Sequence, residues 1–300
     1  MRAWIPHEPG RRLLGELPDT VGVEVWDGES APPDGIDEVE FYVPPWVPGE
    51  AVAEALLRMP SLRVIQALTA GIDHVRPLVP AGVTLCDARG VHDGATSEWV
   101  LAAILACVRD FPRLVVEQHG PPGERRMGDT LDGKRVMILG YGSIGKAVER
   151  RLVGFDVDLL RVARRAREGV HPVADLDELL PGVDVLVVLV PREPETLGIV
   201  SRERLAALPD GALVVNAARG GLVDEGALLE EVSAGRLRAA LDVAEPDPLP
   251  GGHPLRMASG VFYTPHVAGA TRMTFPRIYG FIGSQLRRMA AGEQPANIVN

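Results

Sequence analysis

The sequence predicts an α/β protein with parallel sheets, and three observations carry that prediction. Short valine-rich apolar runs bounded by Gly, Pro and Asp alternate with longer helix-like segments along the chain, as in βαβ units whose strands are buried on both faces. The length, 300 residues, fits two ordinary domains. Gly140, Gly142 and Gly145 stand in G-x-G-x-x-G order directly after one such strand and directly before an amphipathic helix, the setting in which a backbone turn can cradle phosphates.

In chain order, the apolar runs predict strands at Arg2–Ile5, Val21–Trp26, Glu40–Val43, Leu62–Gln66 and Val83–Cys86, with a helix over Gly49–Arg58. The proline-dense stretches PPDG, PPWVP and RPLVP read as loops, because proline fixes φ and lacks a donor for a ladder. A long helix from Ala95, TSEWVLAAILACVRD, carries apolar residues around most of its circumference. It should be buried on several sides, inside the chain or against a second copy. The loop HGPPGERRMGD follows. A second alternating series then predicts strands at Arg135–Leu139, Val157–Val162, Val183–Val190, Leu213–Asn216, Ala239–Leu241 and Val261–Tyr263; after Ala270 the chain turns helical and finishes in NIVN.

Composition narrows the function classes. No apolar run approaches the ~20 residues that cross a bilayer, and the opening MRAWIPHEPG lacks a signal peptide's apolar stretch, so a cytoplasmic protein is expected. The formal net charge of -10 argues against nucleic acid or an anionic membrane as partner, since both need a broad positive face. Any cationic site must be local. Cys86 and Cys107 show neither metal-ligand spacing nor a disulfide framework, so they read as core residues of a reduced compartment, and no metal site is expected.

The glycine loop has a definite physical reading. Gly140 permits the tight turn, Gly142 lets backbone approach a pyrophosphate, and Gly145 lets helix and strand pack closely, while the helix start at Ser143 and Ile144 turns its N–H groups to the phosphates. An NAD-binding unit would end its second strand in Asp or Glu about 20 residues further on. Here that strand, DVDLLRV, is followed by Ala163, then Arg164 and Arg165, with Arg167 close behind. Without the carboxylate nothing repels a 2′-phosphate, and guanidinium groups can grip it bidentately. The expected cofactor is NADP(H), with NAD(H) as the alternative; the other reading is a solvated arginine run.

Taken together, LDGKRVMILGYGSIG, VVLVPREPETLGIV, VVNAARGGLVDEGALLEEVSAGRLRAALDVAEPDPLP and YTPHVAGATR, with looser matches at ALTAGIDHV and ARGVHDGATSEWV, resemble the D-isomer-specific 2-hydroxyacid dehydrogenases, including glyoxylate/hydroxypyruvate reductases. The resemblance covers most of the chain. It implies a Rossmann-type dinucleotide-binding domain (94–270) inserted into a flavodoxin-like substrate domain (1–93 and 271–300). It implies a catalytic Arg219 in N-x-x-R-G and a catalytic His266 in T-P-H-x-x-G. Each follows an apolar strand and should emerge at the sheet's carboxyl edge, where such folds bind ligands. Arg219 can grip and polarise a 2-oxo acid, and His266 can donate the proton its carbonyl oxygen needs.

The same resemblance places the histidine's acidic partner at Asp247, where the family mostly has Glu. Either the EPDPLP turn brings the backbone closer, which Pro246 and Pro248 favour by fixing the chain on both sides, or the coupling is weak or water-mediated; Glu245 is the competitor. By resemblance Asp242 contacts the nicotinamide amide, Asn216, Ala217, Val190 and Pro191 lie against the cofactor, and backbone N–H groups of Ala70, Gly71 and Ile72 hold the substrate carboxylate. Trp46 is a candidate cap over the substrate. A homodimer through the long helix and nearby loops is implied. The reaction expected is hydride transfer between NADP(H) and a small 2-oxo acid or D-2-hydroxy acid. The rivals are a dehydrogenase of another small anion and a dinucleotide-sensing corepressor-like binding protein. The carboxylate at Asp247 counts against a formate-type enzyme, and the want of appended interaction tails counts against a corepressor.

Overall fold

The computed structural model describes residues 1–120 and 127–299. The middle of the expected HGPPGERRMGD loop and the final Asn300 lie outside the described residues. The chain divides into two compact units, Met1–His92 with Thr271–Asn300, and Asp93–Ala270.

In the first unit, strands β1 (Arg2–Ile5), β2 (Gly22–Val25), β3 (Val39–Tyr42), β4 (Val64–Gln66) and β5 (Thr84–Cys86) form a parallel sheet in the order β2-β1-β3-β4-β5. This is the flavodoxin-like order. Along β1, Trp4 enters one apolar cluster with Trp26 and Tyr42, while Ala3 and Ile5 enter another on the opposite face. The period of two sends alternate side chains to opposite faces, and both faces are covered, which is why these strands read as unbroken apolar runs. Helix α1 (Glu50–Leu56) buries Val52, Ala55 and Leu56 in the first cluster. The C-terminal helix α7 (Thr274–Ala290) buries Ile278, Tyr279, Ile282 and Leu286 in the second.

The second unit opens with helices α2 (Asp93–Val108) and α3 (Phe111–Glu117). A seven-stranded parallel sheet follows: β6 (Arg135–Leu139), β7 (Asp158–Ala163), β8 (His171–Pro172), β9 (Val185–Val188), β10 (Leu213–Asn216), β11 (Arg238–Leu241) and β12 (Val261–Tyr263), in the order β12-β11-β10-β9-β6-β7-β8. Counted from β6 this is the Rossmann order with one further strand, and its direction reverses between β6 and β9, where such folds bind ligands. On β6, Val136 and Ile138 face Val100, Ile104 and Cys107 of α2. Met137 and Leu139 face the other layer, which includes Leu205 of α5 (Arg202–Ala207) and Ala227, Leu228 and Val232 of α6 (Glu225–Ser233). Each fully buried Val, Leu or Ile supplies roughly 1.5–3 kcal/mol of apolar burial. Among the described residues no helix is long and apolar enough to cross a membrane.

Two departures from the sequence reading have physical causes. The run Val183–Val190 is a strand only over Val185–Val188, because Leu189 and Val190 turn out against the glycine loop. The long helix stops at Val108: Asp110 takes φ 58°, and α3 starts after it with proline in its first turn, where its missing N–H costs nothing. The buried face of α2 is spent on its own unit's sheet. The open apolar surface lies instead on α3, where Phe111, Leu114, Val115 and Val116 are exposed.

Candidate active site

The glycine loop leaves β6 and is tied to the neighbouring strand: Gly140 and Tyr141 donate their N–H groups to Val162 O at 2.9 and 3.0 Å. Gly140 has φ 106°, and a Cβ there would lie 2.4 and 2.5 Å from backbone of Leu189 and Val190. No other residue fits such a turn. A Cβ on Gly145 would meet Gly140 O at 2.9 Å and Ile138 of β6 at 3.1 Å, a close approach of helix to strand and loop. Gly142 is exposed and a Cβ would meet nothing within 4 Å, so the space over the loop is open to a ligand. It precedes α4 (Ser143–Leu152), and the first intrahelical acceptor is Gly142 O, taking Lys146 N–H at 3.0 Å. The N–H groups of Ser143, Ile144 and Gly145 therefore form the unsatisfied first turn of a ten-residue helix. Val190 is buried and Pro191 exposed.

Beyond β7, Arg164, Arg165 and Arg167 are all exposed. They are not equivalent. Arg164 is ion-paired with Glu193, and Arg167 donates to Tyr141 O at 2.5 Å with its guanidinium 5.6 Å from that ring. Arg161, inside the strand, pairs with Glu149, which also accepts the Tyr141 hydroxyl.

The other candidate residues lie on the loops that follow β10, β11 and β12, adjacent strands in register from Asn216 to Leu241 and from Leu241 to Tyr263. Asn216 is buried, and its amide builds the next turn: Nδ2 donates to Arg219 O at 2.8 Å and Oδ1 accepts Ala218 N–H at 3.1 Å. Arg219 Nη1 donates to Ala218 O at 2.9 Å. Asp242, 1 % exposed, accepts from Thr264 Oγ1 at 2.6 Å and from the N–H groups of Val267 and Ala268, each at 2.8 Å. Its backbone oxygen takes His266 N–H at 2.7 Å. These bonds hold His266 at φ 55°, a left-handed conformation that an unbranched polar residue reaches at modest cost. His266 Nδ1 lies 2.6 Å from Asp247 Oδ2, so the contact is direct despite the short side chain. Glu245 instead approaches Arg192 at 3.4 Å.

In the first unit, the turn after β4 is closed by Thr69 Oγ1 donating to Gly71 O at 2.5 Å and by Ala88 N–H on Thr69 O at 2.9 Å. The N–H groups of Ala70, Gly71 and Ile72 have no backbone acceptor among the described residues. Trp46 is half-buried, its ring 6.3 Å from the rings of both His7 and His92. Among the described residues no group of His, Cys, Asp and Glu could hold a metal.

A family model described as D-isomer specific 2-hydroxyacid dehydrogenase, NAD binding domain, matches residues 101–268. The chain belongs to the D-isomer-specific 2-hydroxyacid dehydrogenases. A D-3-phosphoglycerate dehydrogenase of Archaeoglobus fulgidus is 33% identical over 258 residues, covering 83% of this chain and 49% of its own length. A glyoxylate reductase of Thermofilum pendens is 33% identical over 263 residues, covering 83% and 78%. The crystal structure of a D-isomer specific 2-hydroxyacid dehydrogenase from Xanthobacter autotrophicus Py2, in complex with NADPH and MES, is similar with a TM-score of 0.86 and 29% identity, covering 100% of this chain and 98% of that one. The chain spans about half the length of the phosphoglycerate dehydrogenases it matches.

In this member of the family the loops after β11 and β12 bring His266, Asp247 and Asp242 into hydrogen-bonded contact. Three contributors were not anticipated from the sequence. Gln66, fully buried, donates to backbone oxygens of Ala67 and Asp87 at 2.9 and 3.0 Å and accepts from Gln285 at 2.8 Å, bracing the strand end before the Thr69 turn. His92 Nε2 lies 3.0 Å from Leu68 O. Glu225 reaches the Asp247 loop. The buried glutamine inside an apolar run was the one visible signal, since a polar group there must be hydrogen-bonded.

Proposed function

We propose that the protein transfers hydride between NADP(H) and a small 2-oxo acid or D-2-hydroxy acid of the glyoxylate or hydroxypyruvate type. The observation that carries the reading is the 2.6 Å contact between His266 and Asp247 on a loop braced by a buried carboxylate. That arrangement fixes the ring through Nδ1 and leaves Nε2 for the proton transfer to a carbonyl oxygen.

The glycine loop fits a dinucleotide: the open space at Gly142 admits a pyrophosphate, and the first turn of α4 offers it N–H groups. Val190, Pro191 and Ala217 would line a nicotinamide ring bound there, which would supply or accept the hydride. Arg219 orients the substrate and polarises its carbonyl, the N–H groups of Ala70, Gly71 and Ile72 bind its carboxylate, and His266 delivers the proton, or withdraws it in oxidation. For the 2′-phosphate the groups offered are Arg165 and Arg164. Because Arg164 is engaged by Glu193, the phosphate must share it, which keeps the preference over NAD(H) modest. Self-association through the exposed apolar residues of α3 and a cytoplasmic site of action, in keeping with two free buried cysteines, complete the proposal.

The test is the oxidation of NADPH, followed by absorbance, against glyoxylate, hydroxypyruvate, pyruvate, phenylpyruvate and 2-oxoisocaproate. Turnover is expected with the smaller acids. Tight NADPH binding without turnover of any acid would overturn the enzymatic reading in favour of a dinucleotide sensor.

A further inference from the structure

Glu225 opens α6, yet it does not cap that helix. The cap is Asp224, whose carboxylate accepts Ala227 N–H at 2.9 Å. The Glu225 carboxylate turns elsewhere: its two oxygens accept Glu245 N–H at 2.9 and 3.1 Å, and the Gly221 N–H lies near enough to favour its ionised form. Gly221 stands two residues after Arg219, and Glu245 two residues before Asp247. The two loops touch beneath this carboxylate. A Cβ on Gly220 would lie 2.4 Å from Ala244 O, and one on Gly221, at φ 74°, 2.8 Å from a Glu245 carboxylate oxygen.

We infer that Glu225 is a positioning residue, a half-buried staple that joins the loop carrying Arg219 to the loop carrying Asp247 and thereby holds Asp247 against His266. The inference rests on the proposed roles of those three residues. The acid loop is secured on both sides of Asp247: Glu245 N–H is held by Glu225, and Leu249 N–H donates to the Tyr263 hydroxyl at 2.9 Å. Tyr263 itself lies on β12, three residues before His266. With both ends fixed, the short aspartate meets Nδ1 at 2.6 Å, which answers how it serves where a longer glutamate would be usual. A carboxylate suits the position because it offers two acceptor oxygens and no donor to converging N–H groups. Burial pushes the Glu225 carboxyl above the usual range, the two N–H groups oppose that, Glu245 pushes it further up and His253 draws it down. The Glu245 carboxylate is turned to Arg192. The charged groups bonded to the His266 segment are Asp247 and Asp242.

The experiment compares E225Q and E225D with the native protein. Glutamine keeps the size but presents an NH2 group to N–H donors; aspartate keeps both acceptors and withdraws them by about 1.5 Å, one C–C bond. Imidazole NMR of the full chain, with the His266 signal assigned by its loss in H266Q, reads the coupling without any turnover. We expect the His266 ring signals to move in both variants, kcat/KM for the best 2-oxo acid to fall by about tenfold or more, corresponding to ~1.4 kcal/mol, and the Kd for NADPH to stay within about twofold. E225Q should add little in a D247N background, since both break one chain of contacts. Unmoved His266 signals in a folded E225Q or E225D protein, or effects that add fully to those of D247N, would overturn the inference. Absence of turnover by the native protein would instead remove the proposed function and leave the NMR result to judge the staple.

Discussion

The two halves of the second unit's sheet edge are built on opposite plans. After β10, β11 and β12, almost every polar group is committed: Asp242 spends its carboxylate on three donors, Asn216 folds the Arg219 turn, and Asp247 sits on His266. After β6 and β7, the loop leaves open space over Gly142 and three exposed arginines. Under the proposed function the difference follows from what each half would do. A proton donor has to be held within hydrogen-bond reach of one atom, so its support is buried and preorganised. A nucleotide's phosphates are recognised by N–H and guanidinium groups on an accessible surface, so that half stays open, with Arg164 paired to Glu193 at the surface.

The comparison can be broken first at its rigid side. H266Q removes the proton donor and is expected to lower kcat/KM for 2-oxo acid reduction by ~10²–10⁴, with NADPH binding nearly unchanged; activity within about threefold of native would move the acid elsewhere. D247N should act less severely but more tellingly. With the carboxylate gone, the ring loses the acceptor that fixes it at Nδ1, and kcat/KM should fall by about tenfold or more with NADPH binding nearly unchanged. An unchanged kcat/KM would mean that the 2.6 Å contact is without catalytic effect.

The open side should give smaller, separable changes. Native efficiency with NADPH is expected to exceed that with NADH by about tenfold, ~1.4 kcal/mol. Replacing Arg164 and Arg165 by alanine should erase most of that and leave NADH kinetics alone, while E193Q, by releasing Arg164, should widen the preference. Equal use of both cofactors by the native protein would show that the arginines are merely solvated. The smallest expected signal is a silence common to both units. Burial pushes the Cys86 thiol up to about 12 and the Cys107 thiol up to about 11, so the reactive thiolate forms only at strongly alkaline pH and alkylation near pH 8 should be slow. In denaturant the ordinary value returns and both should react quickly; fast alkylation of the folded protein would show that one unit opens readily.

Much of this was written in the sequence because strands buried on both faces must be apolar and a phosphate turn must have glycine at Gly140. The strands at Arg2–Ile5, Arg135–Leu139, Leu213–Asn216 and Val261–Tyr263 fall where the apolar runs put them. Helix α3 was not legible: FPRLVVE holds a proline and two β-branched valines, weak helix formers, and it buries none of its residues in its own unit. The two-residue β8 is too short to carry a period. Glu225 escaped notice because a glutamate beside a capping aspartate at a helix start reads as a favourable surface charge. Only the folded loop shows which N–H groups reach it. Arg164 was legible as a cation but not as one already paired, since Glu193 comes from another strand's end.

The sheet order sets β9 between the glycine loop's strand and β10. That spacer lets the protein be altered by parts. The partners of Arg164 and Arg167, Glu193 and Tyr141, are other residues than those that hold Asp242, Asp247 and His266, so under the proposed function the free-energy effects of changes to the two groups should sum. Variation in cofactor use and variation in proton handling can then accumulate in a lineage, or in a laboratory library, in either order and without one having to wait for the other.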